Sequence, residues 1–78
     1  MRIRFFAGAA EAAGLDEQHL DDQLTLGELR AALNAEHGAE FARVLERCAV
    51  RVDGARLGDD DAVPADATVD VLPPFAGG

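Results

Sequence analysis

The residues Pro73-Pro74-Phe75-Ala76-Gly77-Gly78 carry the most distinctive chemistry expected of this sequence, the carboxylate that Gly78 would bear as a free terminus. An α-carboxyl group has a pKa of roughly 3.3–3.7 and is ionised at neutral pH. As an anion it is a poor electrophile and needs activation before any acyl chemistry. Adenylation by ATP would make it a mixed anhydride with a good leaving group, and a sulfur nucleophile would then leave a thiocarboxylate. Gly77 and Gly78 have no Cβ, so such a tail can thread a narrow channel and adopt φ values closed to other residues. Pro73 and Pro74 stiffen the segment before it and lower the entropy cost of aiming it. A Gly-Gly end alone also fits an ordinary frayed terminus. The whole set, a Pro-Pro stop, one aromatic and then Gly-Gly, points to use.

Other reactive side chains offer less. Cys48 could relay sulfur, but at the start of a strand it reads as a small buried apolar residue. One Cys with two His is a poor metal set, and His19 and His37 each sit among charges that place them on the surface. Gly58-Asp59-Asp60-Asp61 reads as a solvated turn; a calcium loop would need a Gly and a distal Glu that are missing. Arg2, Arg4 and Arg56 read as surface charges offsetting acidic neighbours. There is no Gly-rich phosphate loop and no defensible Ser–His–Asp order.

The elements that position the tail must fit in 78 residues, which is one domain and no more. A chain this short buries only about 60% of the surface its unfolded form exposes, so the core is a single layer. Its material is aliphatic: Ile3, Leu26, Leu29, Leu33, Val44, Leu45, Val50, Val52, Val63, Val69 and Val71. The formal net charge is -8, and all seven basic residues are Arg. Such a chain repels phosphate backbones, which argues against nucleic acid. It is drawn instead to basic protein surfaces. The unpaired Cys48 fits reducing cytoplasm. Met1-Arg2-Ile3-Arg4 is not a signal-peptide opening, and no run approaches the roughly 18 apolar residues of a membrane span.

Residues 2–6 alternate as a strand, with Ile3 and Phe5 on one face. Residues 7–14 fit a short helical turn ending at Gly14, and 16–23 an edge strand with outward charges. Thr25-Leu26-Gly27-Glu28 matches a capping box, after which Leu26, Leu29 and Leu33 share a helical face up to a stop at Gly38. A shorter helix over about 39–47 turns Phe41, Val44 and Leu45 inward. Residues 48–52 read as a strand, Asp53-Gly54 as its turn, and Val69 and Val71 as the inward side of a last strand ended by Pro73-Pro74. Strand pairs around a helix imply an α+β fold, the β-grasp or ubiquitin-like arrangement. In it one main helix crosses a mixed sheet and the first and last strands lie parallel. The expected organisation is a domain over 1–74 and a flexible tail over 75–78. If first and last strands are neighbours, Phe6 and Leu72 form an apolar pair on the solvent side, with Arg4 beside Phe6; an exposed apolar patch beside a reactive tail suggests a partner site.

Val69-Asp70-Val71-Leu72-Pro73-Pro74-Phe75-Ala76-Gly77-Gly78 resembles the C-terminus of the molybdopterin synthase small-subunit family (MoaD-like, within the MoaD/ThiS sulfur carriers). Ile3-Arg4-Phe5-Phe6-Ala7-Gly8-Ala9-Ala10-Glu11 is similar to that family's first strand and small-residue turn, and Thr25-Leu26-Gly27-Glu28-Leu29 to its helix start. Phe75 departs from the smaller aliphatic found there in many members. The resemblance implies that an adenylating enzyme similar to ubiquitin-activating enzymes charges Gly78 with ATP, and that sulfur, from a sulfurtransferase or another donor, gives a thiocarboxylate. The tail (Pro73, Pro74, Phe75, Ala76, Gly77, Gly78), with Phe6 and Leu72 as docking residues, then enters the large subunit of a heterotetrameric molybdopterin synthase. There it donates sulfur to cyclic pyranopterin monophosphate. No cofactor stays bound to such a chain. Pro73-Pro74 favours this branch over the thiazole branch. Delivery to thiazole or amino-acid synthesis, a ubiquitin-like modifier and a plain interaction module remain open.

Overall fold

The computed structural model describes residues 1–74. The chain runs β1 (Arg2–Phe5), α1 (Gly8–Ala13), β2 (Glu17–His19), β3 (Leu24–Thr25), α2 (Leu26–His37), α3 (Ala39–Glu46), β4 (Ala49–Val52), β5 (Ala62–Val63) and β6 (Thr68–Leu72). Four strands form one sheet in the order β2-β1-β6-β4, and β3 and β5 form a separate two-stranded ribbon. β1 and β6 are parallel, with Ile3 opposite Val69 and Phe5 opposite Val71. β2 and β4 add antiparallel edges. The parallel pairing of first and last strands, with helices on one face, is the expected β-grasp.

Strand alternation sets the two faces. Ile3, Phe5, Val50, Val52, Val69 and Val71 point to the helices and are buried. Leu26, Leu29 and Leu33 of α2 and Phe41 and Leu45 of α3 close the layer from the other side. Val44, expected inside, is only partly buried against it. The capping box on α2 is complete: Glu28 N–H donates to Thr25 Oγ1 at 3.1 Å, and Thr25 N–H to Glu28 Oε1 at 2.9 Å. Gly38, at φ 94°, ends the helix as its sequence position predicts. At Asp53-Gly54 both residues take positive φ, 50° and 83°. That is the geometry of a two-residue hairpin turn matched to strand twist, and glycine holds it without steric cost.

One expectation needs correction and one needs an addition. The edge strand read over 16–23 pairs only over Glu17–His19, because a second short strand, Leu24–Thr25, leaves to meet Ala62–Val63. The acidic loop is exposed but also structural: the carbonyls of Asp61 and Asp59 accept the N–H groups of Leu26 and Gly27, each at 2.9 Å. Those are helix-start donors that no intrahelical carbonyl reaches.

Candidate functional site

β6 carries the chain to the tail, and its place in the sheet makes it a firm base. It is hydrogen-bonded on both sides, by β1 and by β4, and its inward residues Val69 and Val71 are fully buried. Pro73 is partly buried and Pro74 exposed. Neither can donate to a ladder, so the sheet ends there. Pro73 and Pro74 form one wall of an open groove of about 540 Å³, whose other wall is α3 through Glu40, Arg43, Val44 and Glu46, with Arg47 just after its end. Phe75, Ala76, Gly77 and Gly78, the four residues expected to carry the chemistry, lie outside the described residues.

Phe6 and Leu72, the residues expected to dock, sit on the open face, the side of the sheet away from the helices. Phe6 follows β1, with its N–H donating to Val71 O at 3.2 Å. Phe6 is 38% exposed, the one large apolar residue so exposed among the described residues. Leu72, partly buried, ends β6 opposite Ala49 of β4. The parallel register thus brings Phe6 and Leu72 to the same end of neighbouring strands, next to the exit of the tail. Arg4 joins them. Its guanidinium lies 5.5 Å from the centroid of the Phe6 ring, within cation–π range. It also forms a two-pronged bond with Asp70, Nε to Oδ1 at 2.6 Å and Nη2 to Oδ2 at 2.8 Å. That hydrogen bond and the charge behind it push the Arg4 pKa further up. Arg2 pairs with Glu17 at 3.0 Å, and this bond holds the Glu17 carboxyl below its ordinary range. Both ion pairs bear out the reading of these arginines as offsets to acidic neighbours. Arg56 makes no ion pair among the described residues.

Cys48 directly precedes β4 and donates its S–H to Val44 O at 3.2 Å. Burial pushes its pKa up, only partly countered by the charge of Arg30. A thiol held in that state is a weak nucleophile, since the thiolate is the reactive form. His19 is exposed on the open face, as expected. His37 is not on the surface. Its side chain is 6% exposed, edge-on to Phe5 at 5.7 Å and tilted over Phe41 at 5.0 Å, with Nε2 2.7 Å from Gln18 Oε1. The signal was present in the spacing: His37 stands four residues after Leu33, on the apolar stripe of α2. The nearby charges of Glu36 and Glu40 masked it. Among the described residues no three His, Cys, Asp or Glu side chains are grouped so as to hold a metal ion, and no helix is long and apolar enough to cross a membrane.

Solved structures of the same shape exist. SAMP1 from Haloferax volcanii is 28% identical, with all of this chain and 98% of that one aligned at a TM-score of 0.79. The HVO 2177 protein of the same organism is also 28% identical, over 99% of this chain and 84% of that one, at 0.73. A Pyrococcus furiosus protein assigned provisionally as molybdopterin converting factor, subunit 1, is 20% identical over 95% of each chain at 0.80, a likeness of fold. No curated protein matches by sequence. The ThiS family profile matches residues 3–78, from within β1 through the Gly-Gly segment. The chain therefore belongs to the ThiS family of small ubiquitin-like sulfur carriers.

Proposed function

We propose that this chain is the sulfur-carrying small subunit of a molybdopterin synthase, working in the cytoplasm through a thiocarboxylate on Gly78. An adenylating enzyme joins the Gly78 carboxylate to the α-phosphate of ATP and releases pyrophosphate. Sulfide, from a sulfurtransferase or another donor, displaces AMP and leaves the thiocarboxylate. The tail then enters the large subunit, where its sulfur bonds to a carbon of cyclic pyranopterin monophosphate as a carbon–oxygen bond there breaks and the oxygen leaves on the phosphate or as water; two charged carriers in turn supply the two sulfurs of the dithiolene. Water cleaves the resulting thioester, and the carboxylate of Gly78 is restored. ATP belongs to the activating step and no cofactor stays on this chain. Its contribution is the acyl group, a rigid base for it in β6, and a docking face at Phe6 and Leu72.

The observation that carries this reading is the extent of the family match, which continues through residue 78 and so includes the tail. The choice of the molybdopterin branch rests on Pro73-Pro74. Reconstituted sulfur transfer tests it. Acyl transfer depends on placing the reacting group to within about an ångström, so one extra residue after Gly78 should abolish dithiolene formation while leaving the fold unchanged. Full activity of the extended chain would refute it.

A second reading has its own support. The Haloferax protein that is 26% identical over 96% of this chain is described as a small archaeal modifier protein. In that role the activated Gly78 would be passed to lysine amines of other proteins. This chain has no Lys of its own, so it could not be extended into chains through its own side chains.

A further inference from the structure

Alanine and glycine stand in reversed order at the turn between β1 and α1. The turn Phe6-Ala7-Gly8-Ala9 is closed by the Ala9 N–H, which donates to Phe6 O at 3.0 Å. Ala7 takes φ 49°, ψ −124°, close to the first central position of a type II′ turn, where glycine belongs. Gly8 has no need of being glycine: its φ is not positive, and a Cβ there would meet nothing within 4 Å. Ala-Gly is instead the ordinary pair of a type II turn, the mirror image. There the first central residue has φ of about −60° and the glycine after it takes φ of about +80°. The residue order thus fits the mirror turn, while the fold uses the strained one.

The Glu11 N–H donates to Ala7 O at 3.2 Å. The two mirror turns point the carbonyl of their first central residue to opposite sides. Turning Ala7 O over relieves the strain and loses that bond, two effects of similar size. No side chain caps α1, and Ala9 is its buried residue, so little else fixes its first turn. We propose that the Phe6–Ala9 turn is a two-state element. In one state, the one described above, α1 starts at Gly8. In the other, Gly8 carries the positive φ, α1 starts at Ala9, and the Ala7 carbonyl is a free acceptor at an exposed position. Phe6 stays tied to Val71 O through its N–H in both, so the change falls between the exposed ring and the helix. A partner that touches this turn selects one state. Neither state depends on what the tail carries.

Chemical synthesis supplies the test, because L- and D-alanine at position 8 have the same side chain and opposite handedness. Gly8→Ala with L-alanine fits the helical state and is closed to the positive φ of the other, and D-alanine favours the reverse. The readout is amide hydrogen exchange at Glu11. Gly14, whose N–H donates to Ala10 O at 2.8 Å further along the chain, is the internal reference. Relative to Gly14, L-alanine should slow exchange at Glu11 about tenfold and D-alanine should speed it about tenfold. The three-bond coupling across the N–Cα bond of Ala7 should move to its negative-φ value in the D-alanine chain. Glu11 rates that agree within about twofold between the two forms would overturn the proposal. So would a D-alanine chain that does not fold, or one whose Ala7 coupling stays at the positive-φ value. Each of these outcomes leaves the carrier reading intact, since sulfur transfer at Gly78 is measured separately.

Discussion

Truncating Phe6 to Ala should weaken binding to the partner about thirtyfold and leave the fold standing. The magnitude follows from exposure. A Phe side chain presents about 200 Å², and Phe6 keeps 38% of its surface in the free chain. Covering that remainder removes about 75 Å² of apolar area from water, worth ~2 kcal/mol at ~25 cal/mol per Å². At 1.4 kcal/mol per tenfold, this is about thirtyfold in Kd. It is an upper figure, because it assumes that the partner covers the ring completely. The ring lies outside the core, so the change should cost the fold little. The Arg4–Asp70 bond does not involve the ring and should survive its loss. The assay is calorimetric titration of the Phe6→Ala chain into the large subunit, with thermal unfolding as the check on folding. An unchanged Kd for a folded variant would show that the open face is not where the partner sits.

Other consequences are local. Thr25→Ala removes one half of the capping box and should lower stability by about 1 kcal/mol; a fall of about 4–8 °C in Tm would agree, and no fall would mean that the Asp59 and Asp61 carbonyls suffice to cap α2. Ala7 sits at φ 49°, ψ −124°, a region hardly open to side chains. Relief of strain of order 1–3 kcal/mol should outweigh the entropy cost of glycine, so Ala7→Gly should raise the urea midpoint and Ala7→Val should lower it. Cys48, with its pKa raised by burial, holds less thiolate at any pH below that value than a free thiol does. Iodoacetamide should therefore label it more slowly than glutathione at pH 8, with the rate still climbing above pH 9, and equal rates would contradict the assignment of Cys48 as structural.

Much of this was legible in the chain because local chemistry and global packing agree. The capping box at Thr25 and Glu28, the alternation of Ile3 and Phe5, and the Asp53-Gly54 turn each depend on neighbours within a few residues, and each formed as its spacing predicts. What stayed hidden depends on distant partners. Leu24–Thr25 is too short to register as a strand until Ala62–Val63 arrives beside it. His37 looks polar until Phe5 and Phe41, from other elements, enclose its ring. The acidic loop looks merely solvated because charge says where side chains go and nothing about backbone carbonyls. At the candidate site, the pairing that brings Phe6 and Leu72 to the exit of the tail follows from alternation once β1 and β6 are known to be neighbours. The two-pronged bond of Arg4 to Asp70 does not, because it turns on which guanidinium reaches both oxygens of that carboxylate.

The most direct measurement is the intact mass of this chain after incubation with its adenylating enzyme, ATP and a sulfur donor, followed by fragmentation of the C-terminal peptide. Exchange of one oxygen for sulfur, located on Gly78, is the expected result. A chain that returns unchanged, or one recovered only in amide linkage to lysines of other proteins, would contradict its role as a sulfur carrier.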